Sequence, residues 1–388
     1  MIERGALRRA FEERYGRPAR LFRAPGRVNL IGEHTDYNGG FVLPMAIDRE
    51  TVVAAAPRAD RTVRVRSLNR GEELAFDLDR PGEPRRGLWL DYVEGVARAL
   101  ESRGVRLGGA DLLLLSDVPA GAGLSSSAAL EVSAGLALAS VSGRRVDPVE
   151  LALAGQQAEH AYVGTLSGVM DQFVAALGRE GHALLIDCRA LAAEAIPLDT
   201  TNFVVAIADT HVRHELSASE YNRRRAECEE GVRLLSEHLP GVRELRDVSV
   251  EEFERFAACL PGTVRRRCRH VVGENARTLA AAAALRRGDL EEVGRLMRRS
   301  HESLRDDYEV SCAELDLLAE TAWGVRGVLG SRMTGGGFGG STVSLVPRDR
   351  LTEFERALTE EYQQRKGFTP TVYVSEAGGG AEEVISDE

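Results

Sequence analysis

A glycine-rich loop joins a predicted strand to a predicted helix in the first half of the chain. The loop reads Pro119-Ala-Gly-Ala-Gly-Leu-Ser-Ser-Ser-Ala128. A leucine-rich run before it predicts a buried strand over Asp111–Val118, and small residues after it predict a helix over Leu124–Ser140. Glycines let the backbone turn tightly, and a helix start offers unpaired N–H groups. The loop therefore predicts a phosphate cradle whose serines serve phosphate or Mg²⁺, with a tight turn and a serine N-cap as the alternative.

The lysine content restricts which phosphate chemistry the loop can belong to. Lys366 is the only lysine in the sequence, and every other basic residue is an arginine. It lies in Gln-Gln-Arg-Lys-Gly-Phe near the end of a predicted helix, outside any Walker-A, protein-kinase or Schiff-base context. These three enzyme classes are therefore disfavoured, and a phosphate cradle without lysine remains.

A second glycine cluster, Thr334-Gly-Gly-Gly-Phe-Gly-Gly340, formally contains GxGxxG. The run after it, Ser341–Val346, predicts a strand, whereas the dinucleotide fingerprint must open a helix. A dinucleotide-binding protein is therefore disfavoured. A flexible hairpin loop is one interpretation, but the density of glycine favours close backbone approach to a ligand or a mobile lid.

Polar side chains concentrate in Gly26-Arg-Val-Asn-Leu-Ile-Gly-Glu-His-Thr-Asp-Tyr-Asn-Gly-Gly40. The glycines of this stretch predict turns. Carboxylates accept hydroxyl protons, whereas Arg and His donate, so the group can converge on a polyhydroxyl ligand. Each residue alone is equally explained as a loop cap or a surface charge. A zinc site is disfavoured because His34 has no partner at ligand spacing.

Three further candidates have ordinary explanations when each is taken alone. Asp171, in Gly168-Val-Met-Asp-Gln172, lies at a predicted helix start, where a carboxylate is often a cap or dipole partner. Glu159 precedes His160 on a helix and could form a satisfied core pair. Tyr221, on a helix after Asp209-Thr-His-Val-Arg-His214, could serve packing alone.

Length and charge indicate an ordinary globular protein. The chain has 388 residues, a net charge of −10, 43% apolar residues and 28% charged residues. This predicts two domains and argues against nucleic-acid or anionic-membrane surfaces. We expect no membrane span and no export signal. Five scattered cysteines without a CxxC pair favour free thiols in a reducing cytoplasm.

Hydrophobic periodicity predicts mixed strands and helices up to about residue 200, then a helix-rich part. This grouping favours an α+β fold with domains 1–200 and 201–388. Besides the elements above, we predict strands at 20–22, 51–55, 62–66, 74–78, 182–186, 192–196, 203–208, 325–332 and 370–375. We predict helices at 4–15, 88–101, 148–162, 170–177, 216–237, 249–258, 262–286, 288–308, 313–324 and 349–365, and a loop-like tail from Gly378.

These stretches together resemble the galactokinases of the GHMP small-molecule kinase family. The stretch 26–40 resembles the galactokinase signature, 119–128 the family phosphate loop, and 168–173 and 334–340 the third and fourth blocks. Ser300–Cys312 is similar to the family's late helix. The resemblance implies an S5-like amino-terminal lobe, a ferredoxin-like carboxy-terminal lobe and an active site between them. It also implies ATP-dependent phosphorylation of the C1 hydroxyl of α-D-galactose, the first step of galactose catabolism by the Leloir pathway.

The resemblance also implies residue roles, position by position. Asp171 would be the catalytic carboxylate, with Arg27 beside it holding it ionised. The metal positions, for Mg²⁺, would be Ser127 and Glu159. The sugar positions would be Glu33, His34, Thr35, Asp36, Gly168 and Tyr221. The ATP positions would be Gly121, Ala122, Gly123, Leu124, Ser125, Ser126 and Ser127.

Two departures from the family pattern bear on fine sugar specificity. Asp209-Thr-His211 stands where an Asn-containing run is commoner, and Ser167 stands where Cys is frequent. One alternative is a sister kinase for N-acetylgalactosamine, arabinose or another sugar. Another is a sugar- and ATP-sensing regulator, although the uninterrupted Ser125-Ser-Ser-Ala-Ala129 favours catalysis. Without a heptad pattern, we expect a cytoplasmic monomer.

Overall fold

The computed structural model describes residues 2–80, 82–213 and 217–385. The strands are β1 (Arg20–Asn29), β2 (Phe41–Val42), β3 (Pro44–Pro57), β4 (Thr62–Ser67), β5 (Glu72–Asp77), β6 (Ala110–Ser116), β7 (His182–Asp187), β8 (Ala192–Pro197), β9 (Phe203–Asp209), β10 (Gly330–Thr334), β11 (Ser341–Pro347), β12 (Thr371–Ser375) and β13 (Glu382–Val384). The helices are α1 (Arg4–Tyr15), α2 (Leu90–Ser102), α3 (Ser126–Val141), α4 (Pro148–Ala158), α5 (Met170–Leu177), α6 (Ser217–Ser236), α7 (Val250–Phe256), α8 (Gly262–Arg286), α9 (Leu290–Ser303), α10 (Ala313–Gly324) and α11 (Leu351–Lys366).

The amino-terminal half forms a mixed sheet with strand order β13-β1-β3-β6-β4-β5. Strand β4 runs parallel to β6, and the other neighbours are antiparallel. The long pairing of β1 with β3 is interrupted by a register shift between Pro25 and Arg27. Irregularities of this kind re-aim side chains beside functional sites. Arg27 is the first paired residue after the shift, which places it at the end of the strand that leads to the polar stretch.

Helices cover both faces of this sheet because side chains alternate between faces along each strand. Helices α2 to α5 pack on one face, against Phe22 and Val53 among others. Helix α1 covers the other face, where Leu7 and Phe11 contact a core that includes Leu21. Their spacing places both side chains on one face of α1.

The carboxy-terminal half forms an antiparallel sheet with strand order β10-β11-β9-β12. Along the chain, β9 is followed by helices, then β10, β11, α11 and β12. This topology is ferredoxin-like, as expected. Val205 and Ile207 face α8 and α9, whereas Val204 and Ala206 face α10 and α11.

One hydrophobic core joins the two halves. It contains Val28, Leu30 and Ile31 from the amino-terminal half together with Val205 and Met297 from the carboxy-terminal half. A small sheet of order β2-β7-β8 lies beside it. The polar residues after Ile31 therefore extend from a core that both halves share. Both halves of the chain fix the position of these residues.

Most predicted elements are present, and the differences are specific. Gly26 does not form the predicted turn. It lies within β1, where a Cβ would stand 2.6 Å from the Leu124 carbonyl oxygen. The tail is not wholly loop-like, because β13 pairs with β1 of the amino-terminal sheet. The predicted helices 148–162 and 288–308 both end in π-helical turns, Glu159–Val163 and Leu304–Tyr308.

Two further predicted boundaries differ from the structure or lie outside the part of the chain that it describes. The predicted strand 325–332 is shifted, since the observed strand is β10, Gly330–Thr334. The predicted start of a helix at residue 216 lies outside the described residues. Within the described ranges, no helix has both the length and the apolar character needed to cross a bilayer.

Candidate active site

A cavity of about 180 Å³ lies where the two halves meet. It is smaller than the 300–1,000 Å³ or so typical of sites for drug-sized ligands, which suits a single small polar molecule. Its walls come from the end of β1, the start of α5, the π-helical turn after α4, helix α6 and the second glycine cluster. The lining residues are Arg27, Glu33, His34, Asp36, Glu159, Thr165, Ser167, Gly168, Met170, Asp171, Tyr221, Gly335 and Gly336.

Arg27 and Asp171 form an ion pair at one side of this cavity. Nε and Nη2 of Arg27 both lie 2.7 Å from Oδ1 of Asp171. Nη1 of Arg27 donates to the Gly123 carbonyl at 2.6 Å. Ser125 Oγ donates to the other carboxylate oxygen, Oδ2, at 2.5 Å. The carboxylate is thus fixed from two directions, while its side chain keeps 27% of its surface open to the cavity.

The loop at 119–128 has the conformation that its glycines permit. Gly121 and Gly123 have φ values of +73° and +75°, and Ser125 is also left-handed at +59°. Ser125 precedes α3, but its side chain makes no capping hydrogen bond because the hydroxyl is bonded to Asp171. The alternative interpretation, a serine N-cap, is therefore wrong for Ser125. The N–H groups of the first turn of α3 stay available to an anion.

The remaining predicted ATP residues divide between cavity and core. Gly121 and Gly123 line a cavity of about 550 Å³ that shares Thr165, Tyr221 and Gly336 with the small one. A further cavity of about 590 Å³ is lined by Ser126 and Ser127 and by aromatic residues, Trp89, Tyr92 and Tyr373. Two loop side chains belong to the core instead, those of Ala122 and Leu124.

Glu159 is held between two serine hydroxyls. Ser127 Oγ donates to Oε1 at 3.0 Å, and Ser167 Oγ donates to Oε2. Burial raises the pKa of Glu159, and the charge of nearby Asp171 raises it further. Burial also raises the pKa of Glu131, with a further contribution from Glu159. This side of the site therefore concentrates carboxylates whose repulsion a cation would relieve.

The signature loop supplies acidic and aromatic groups to the opposite side. Glu33 Oε1 accepts a hydrogen bond from the Gly335 N–H at 2.5 Å, and burial raises the pKa of Glu33 against the opposing charges of Arg332 and Arg27. Burial raises the pKa of Asp36 to about 7, and Asp171 adds to that shift. Burial lowers the pKa of His34 well below its ordinary value, so its ring is neutral.

The three other predicted sugar residues have different surroundings. Gly168 packs against Asp36 so closely that a Cβ would overlap the carboxylate. Tyr221 lines the cavity with its ring centroid 5.4 Å from that of His34. Thr35 does not line it: its hydroxyl donates to the backbone carbonyls of Gly32 and Phe41. The Thr35 side chain therefore holds the loop rather than facing the cavity.

The second glycine cluster approaches the first loop rather than standing apart as a lid. A Cβ on Gly335 would lie 3.1 Å from the Gly123 carbonyl oxygen. Three N–H groups of this cluster are used within the protein: those of Phe338 and Gly340 donate to the carbonyls of Val310 and Val212, and that of Gly335 donates to Glu33. The sequence predicted close approach to a ligand or a mobile lid, and the contact that the structure shows is between this cluster and the loop at 119–128.

Sequence reasoning assigned no role to Arg213, which also lies at the site. It forms a two-pronged ion pair with Asp209 at 2.9 and 2.8 Å, and it lines the 550 Å³ cavity beside Gly121. The sequence signal that could have identified Arg213 is its place in the polar segment 209–214. Its proximity to the loop at 119–128 depends on long-range folding.

Family comparisons agree with this architecture. Residues 91–179 match the family model described as the GHMP kinases N terminal domain, and residues 281–364 match the GHMP kinases C terminal model. The mevalonate kinase of Methanococcus jannaschii shares the fold, with a TM-score of 0.65 at 16% identity over 92% of this chain and 98% of that chain. The fold and the loop over a carboxylate–arginine pair thus define a GHMP kinase.

More specific matches follow within that class. Residues 9–57 match the galactokinase galactose-binding signature. The galactokinase of Chloroflexus aggregans is 52% identical over 100% of both chains. The crystal structure of Lactococcus lactis galactokinase complexed with galactose has a TM-score of 0.94 at 38% identity, covering 98% of this chain and 99% of that chain. The chain belongs to the galactokinase family.

Proposed function

We propose that this kinase transfers the γ-phosphoryl group of ATP to the anomeric C1 hydroxyl of α-D-galactose, with Asp171 and Arg27 at the reacting centre. The observation that carries the proposal is the open side of Asp171. This carboxylate is fixed by Arg27 and Ser125 at the point where the phosphate loop meets a small polar cavity. The relatives named galactokinase and the one solved with galactose support the choice of sugar.

The chain's own residues position the reacting groups. A sugar hydroxyl is a weak nucleophile, and phosphoryl transfer depends mainly on alignment and charge neutralisation. Asp171 accepts a hydrogen bond from the C1 hydroxyl and can take its proton as the new P–O bond forms. The guanidinium of Arg27, 2.7 Å from that carboxylate, offsets the negative charge that builds up there.

Polar groups of the signature loop hold the rest of the sugar. Glu33, His34 and Asp36 line the cavity on the side away from the phosphate loop. Gly168 leaves room for the Asp36 carboxylate, and Tyr221 closes the cavity beside His34. Buried polar groups that need a hydroxyl partner discriminate strongly against sugars that lack it.

The nucleotide has a continuous path along the loop. The cavity with Trp89 and Tyr92 suits a planar base, and Ser126 and Ser127 connect it to the phosphate loop. The first turn of α3 and Arg213 supply positive potential where a triphosphate would lie. No lysine is needed for this arrangement.

The residues also fit Mg²⁺. Ser127 Oγ and Glu159 Oε1 are oxygen donors 3.0 Å apart in a region of mutually repelling carboxylates. Among the described residues, no three or more His, Cys, Asp or Glu side chains form a metal cage. Mg²⁺ binds with one or two protein ligands plus phosphate oxygens and water, so a sparse site suits it. Bound there by Ser127 and Glu159, it would neutralise phosphate charge.

Three broader assignments belong to the same proposal. The two lobes are residues 1–200 and 201–388, although β13 of the second segment adds to the sheet of the first. The kinase works as a monomer. It works in the cytoplasm, in keeping with the free thiols of its cysteines.

A coupled assay of ADP release tests the proposal. Mg·ATP is combined with galactose, N-acetylgalactosamine, arabinose and glucose, and ³¹P NMR identifies the product. We expect an anomeric phosphate from galactose above all. Turnover of another sugar alone would overturn the substrate, and binding of sugar and ATP without turnover would make the protein a sensor.

A further inference from the structure

The late segment Ser300–Cys312 contributes a buried tyrosine, Tyr308, whose ring packs against that of the cavity residue His34, with centroids 4.8 Å apart. Tyr308 ends the π-helical turn 304–308 and is fully buried. Its hydroxyl lies 2.8 Å from that of Tyr37 and 3.2 Å from Cys228 Sγ. The Tyr37 hydroxyl in turn lies 2.8 Å from Nδ1 of His34. A continuous chain of hydrogen bonds therefore runs from a buried thiol to a cavity histidine.

The chemistry of the two end groups determines in which direction the hydrogen bonds of this chain are donated. Each tyrosine hydroxyl has a single proton to donate, so the hydroxyls must point the same way along the chain. If they point toward Cys228, the chain ends on sulfur, which is a weak acceptor. If they point toward His34, it ends on an imidazole nitrogen, which is a much better acceptor, and the thiol serves as donor. Burial raises the pKa of Cys228 to about 11, so the thiol retains its proton.

The second nitrogen of His34 faces different surroundings. His34 is 5% exposed and lines the 180 Å³ cavity. Its Nε2 has no hydrogen-bond partner among the described residues. The backbone of Gly336 acts to raise the pKa of His34, but burial outweighs this effect and lowers the pKa. A buried ring nitrogen of this kind costs free energy unless a ligand satisfies it.

We propose that Tyr37 and Tyr308 are positioning residues that hold His34 as the neutral Nε2–H tautomer, aiming one N–H donor at a hydroxyl oxygen of the bound sugar. This inference rests on the proposed function for the identity of the sugar. The tautomer itself does not depend on that identity. Tyr308 acts from the carboxy-terminal half, so the segment that holds it contributes to sugar recognition without touching the sugar.

The tautomer is measured directly by long-range ¹H–¹⁵N correlation on protein with ¹⁵N-labelled histidine, without substrates. The His34 signals are assigned by their loss in His34→Gln. We expect the neutral Nε2–H pattern in the unsubstituted protein, and its loss or exchange with the Nδ1–H form in Tyr37→Phe and Tyr308→Phe. A neutral Nδ1–H form or a charged ring in the unsubstituted protein at pH 7.5 would overturn the proposal. That spectrum is recorded on the unsubstituted protein, so this outcome does not depend on the folding of either tyrosine variant.

Kinetics give a second readout. Losing one hydrogen bond to the sugar should raise KM for galactose about three- to tenfold in Tyr37→Phe, with kcat and the KM for ATP nearly unchanged. Tyr362→Phe is the matched control, since it removes a buried hydroxyl that donates to the Thr210 carbonyl at 2.8 Å and belongs to the separate core between α10, α11 and β9. The control should leave the His34 spectrum and the KM for galactose unchanged. Unaltered His34 signals in both Tyr37→Phe and Tyr308→Phe would contradict the relay.

The two proposals fail in different ways. If galactose is not phosphorylated but the Nε2–H form is present and lost in Tyr37→Phe, the relay stands and the substrate assignment falls. If galactose is phosphorylated and His34 is the Nδ1–H tautomer, the relay falls and the substrate assignment stands.

Discussion

The two walls of the cleft differ in which polar groups form hydrogen bonds within the protein. We define the phosphate wall as residues 119–128 with Arg27 and Asp171. Within this wall, the side chains of Arg27 and Ser125 fix the carboxylate of Asp171, and no side chain among the described residues caps the start of α3. The signature wall, defined as residues 33–36 with 334–340, uses backbone N–H groups within the protein, as Gly335 does with Glu33.

The comparison shows that glycine content alone does not identify a phosphate site. Both glycine loops have several residues with positive φ. Only the first opens a helix, so only the first offers free donors to an anion. The second lets its backbone lie against the first, at Gly335 and Gly340. The phosphate wall is therefore suited to charge, and the signature wall to hydroxyl groups and shape.

The largest effect on the signature wall should come from Gly168→Ala. The added Cβ would overlap the Asp36 carboxylate and displace it. We expect kcat/KM for galactose to fall at least about 100-fold, because misplaced binding groups lose alignment as well as affinity. Steady-state kinetics measure it. Gly262→Ala, at a position with open space around the glycine, is the control. A loss below threefold would show that Asp36 does not need its observed position.

The matching change on the phosphate wall is Ser125→Ala. It removes the hydrogen bond to Asp171 Oδ2 but leaves the Arg27 pair intact. Hydrogen bonds to charged groups contribute about 1.5–3 kcal/mol, so kcat should fall about 10- to 150-fold. The KM for galactose should change little. Ser133→Ala, within α3, should leave kcat unchanged, since the Ser133 hydroxyl donates to the Leu130 carbonyl of its own helix. An equal loss in both variants would contradict a specific role for Ser125.

A pair of glycine substitutions separates the two loops. Gly337→Ala would place a Cβ against the Val310 carbonyl at a φ of +83°, whereas the nearest atom to a Cβ on Gly123 is 3.5 Å away. We expect Gly337→Ala to lower the free energy of unfolding by about 1–3 kcal/mol, and Gly123→Ala to lower it by less while raising the KM for ATP. Denaturant unfolding and ATP kinetics test this. The reverse pattern would exchange the roles of the two loops.

The pH dependence of stability offers the finest test of the signature wall. The folded pKa of Asp36 is about 7, above its ordinary value of 3.8. Between these values the folded state binds more protons at Asp36 than the unfolded state does, so its contribution to stability falls as pH rises. Relative to Asp36→Asn, the unsubstituted protein should lose at least about 1.4 kcal/mol between pH 5 and pH 8 in denaturant unfolding without substrates. Parallel pH profiles would show that Asp36 is not buried as described.

Local signals predicted much of the fold. Helices α1, α5, α8 and α10 have the predicted boundaries. Their hydrophobic periodicity lies within the helix sequence, and residues that mark an end, such as Pro261 before α8, lie directly beside it. Strand β1 was predicted only to Phe22 because Ala-Pro-Gly resembles a turn. The need for Gly26 comes from Leu124 and Val118, which are distant in sequence. Strand β13 was missed for the same reason, since its partner β1 lies at the other end of the chain.

The residues of the site also divide into those that the sequence could indicate and those that depend on long-range packing. Arg27 lies in a dense polar stretch, but the roles of Arg27 and Asp171 followed from the resemblance to a known family rather than from either residue alone. The structure brings the two side chains together. The partners that orient them could not be predicted from sequence. Tyr308 reaches His34 through Tyr37, and Arg213 reaches Gly121, only after the two halves pack. Thr35 shows the converse, since a residue inside a motif can serve the loop rather than the ligand.

The central proposal is that Asp171, held by Arg27 and Ser125 on the phosphate wall, is the catalytic carboxylate. The most direct measurement compares kcat and the galactose dissociation constant for the unsubstituted protein and Asp171→Asn. Asp60→Asn serves as control because Asp60 also pairs with an arginine, Arg58 at 2.7 Å, but on the surface. The account predicts that Asp171→Asn lowers kcat about 10²–10⁴-fold while galactose still binds, with Asp60→Asn unaffected. A kcat within threefold of the unsubstituted value would contradict it.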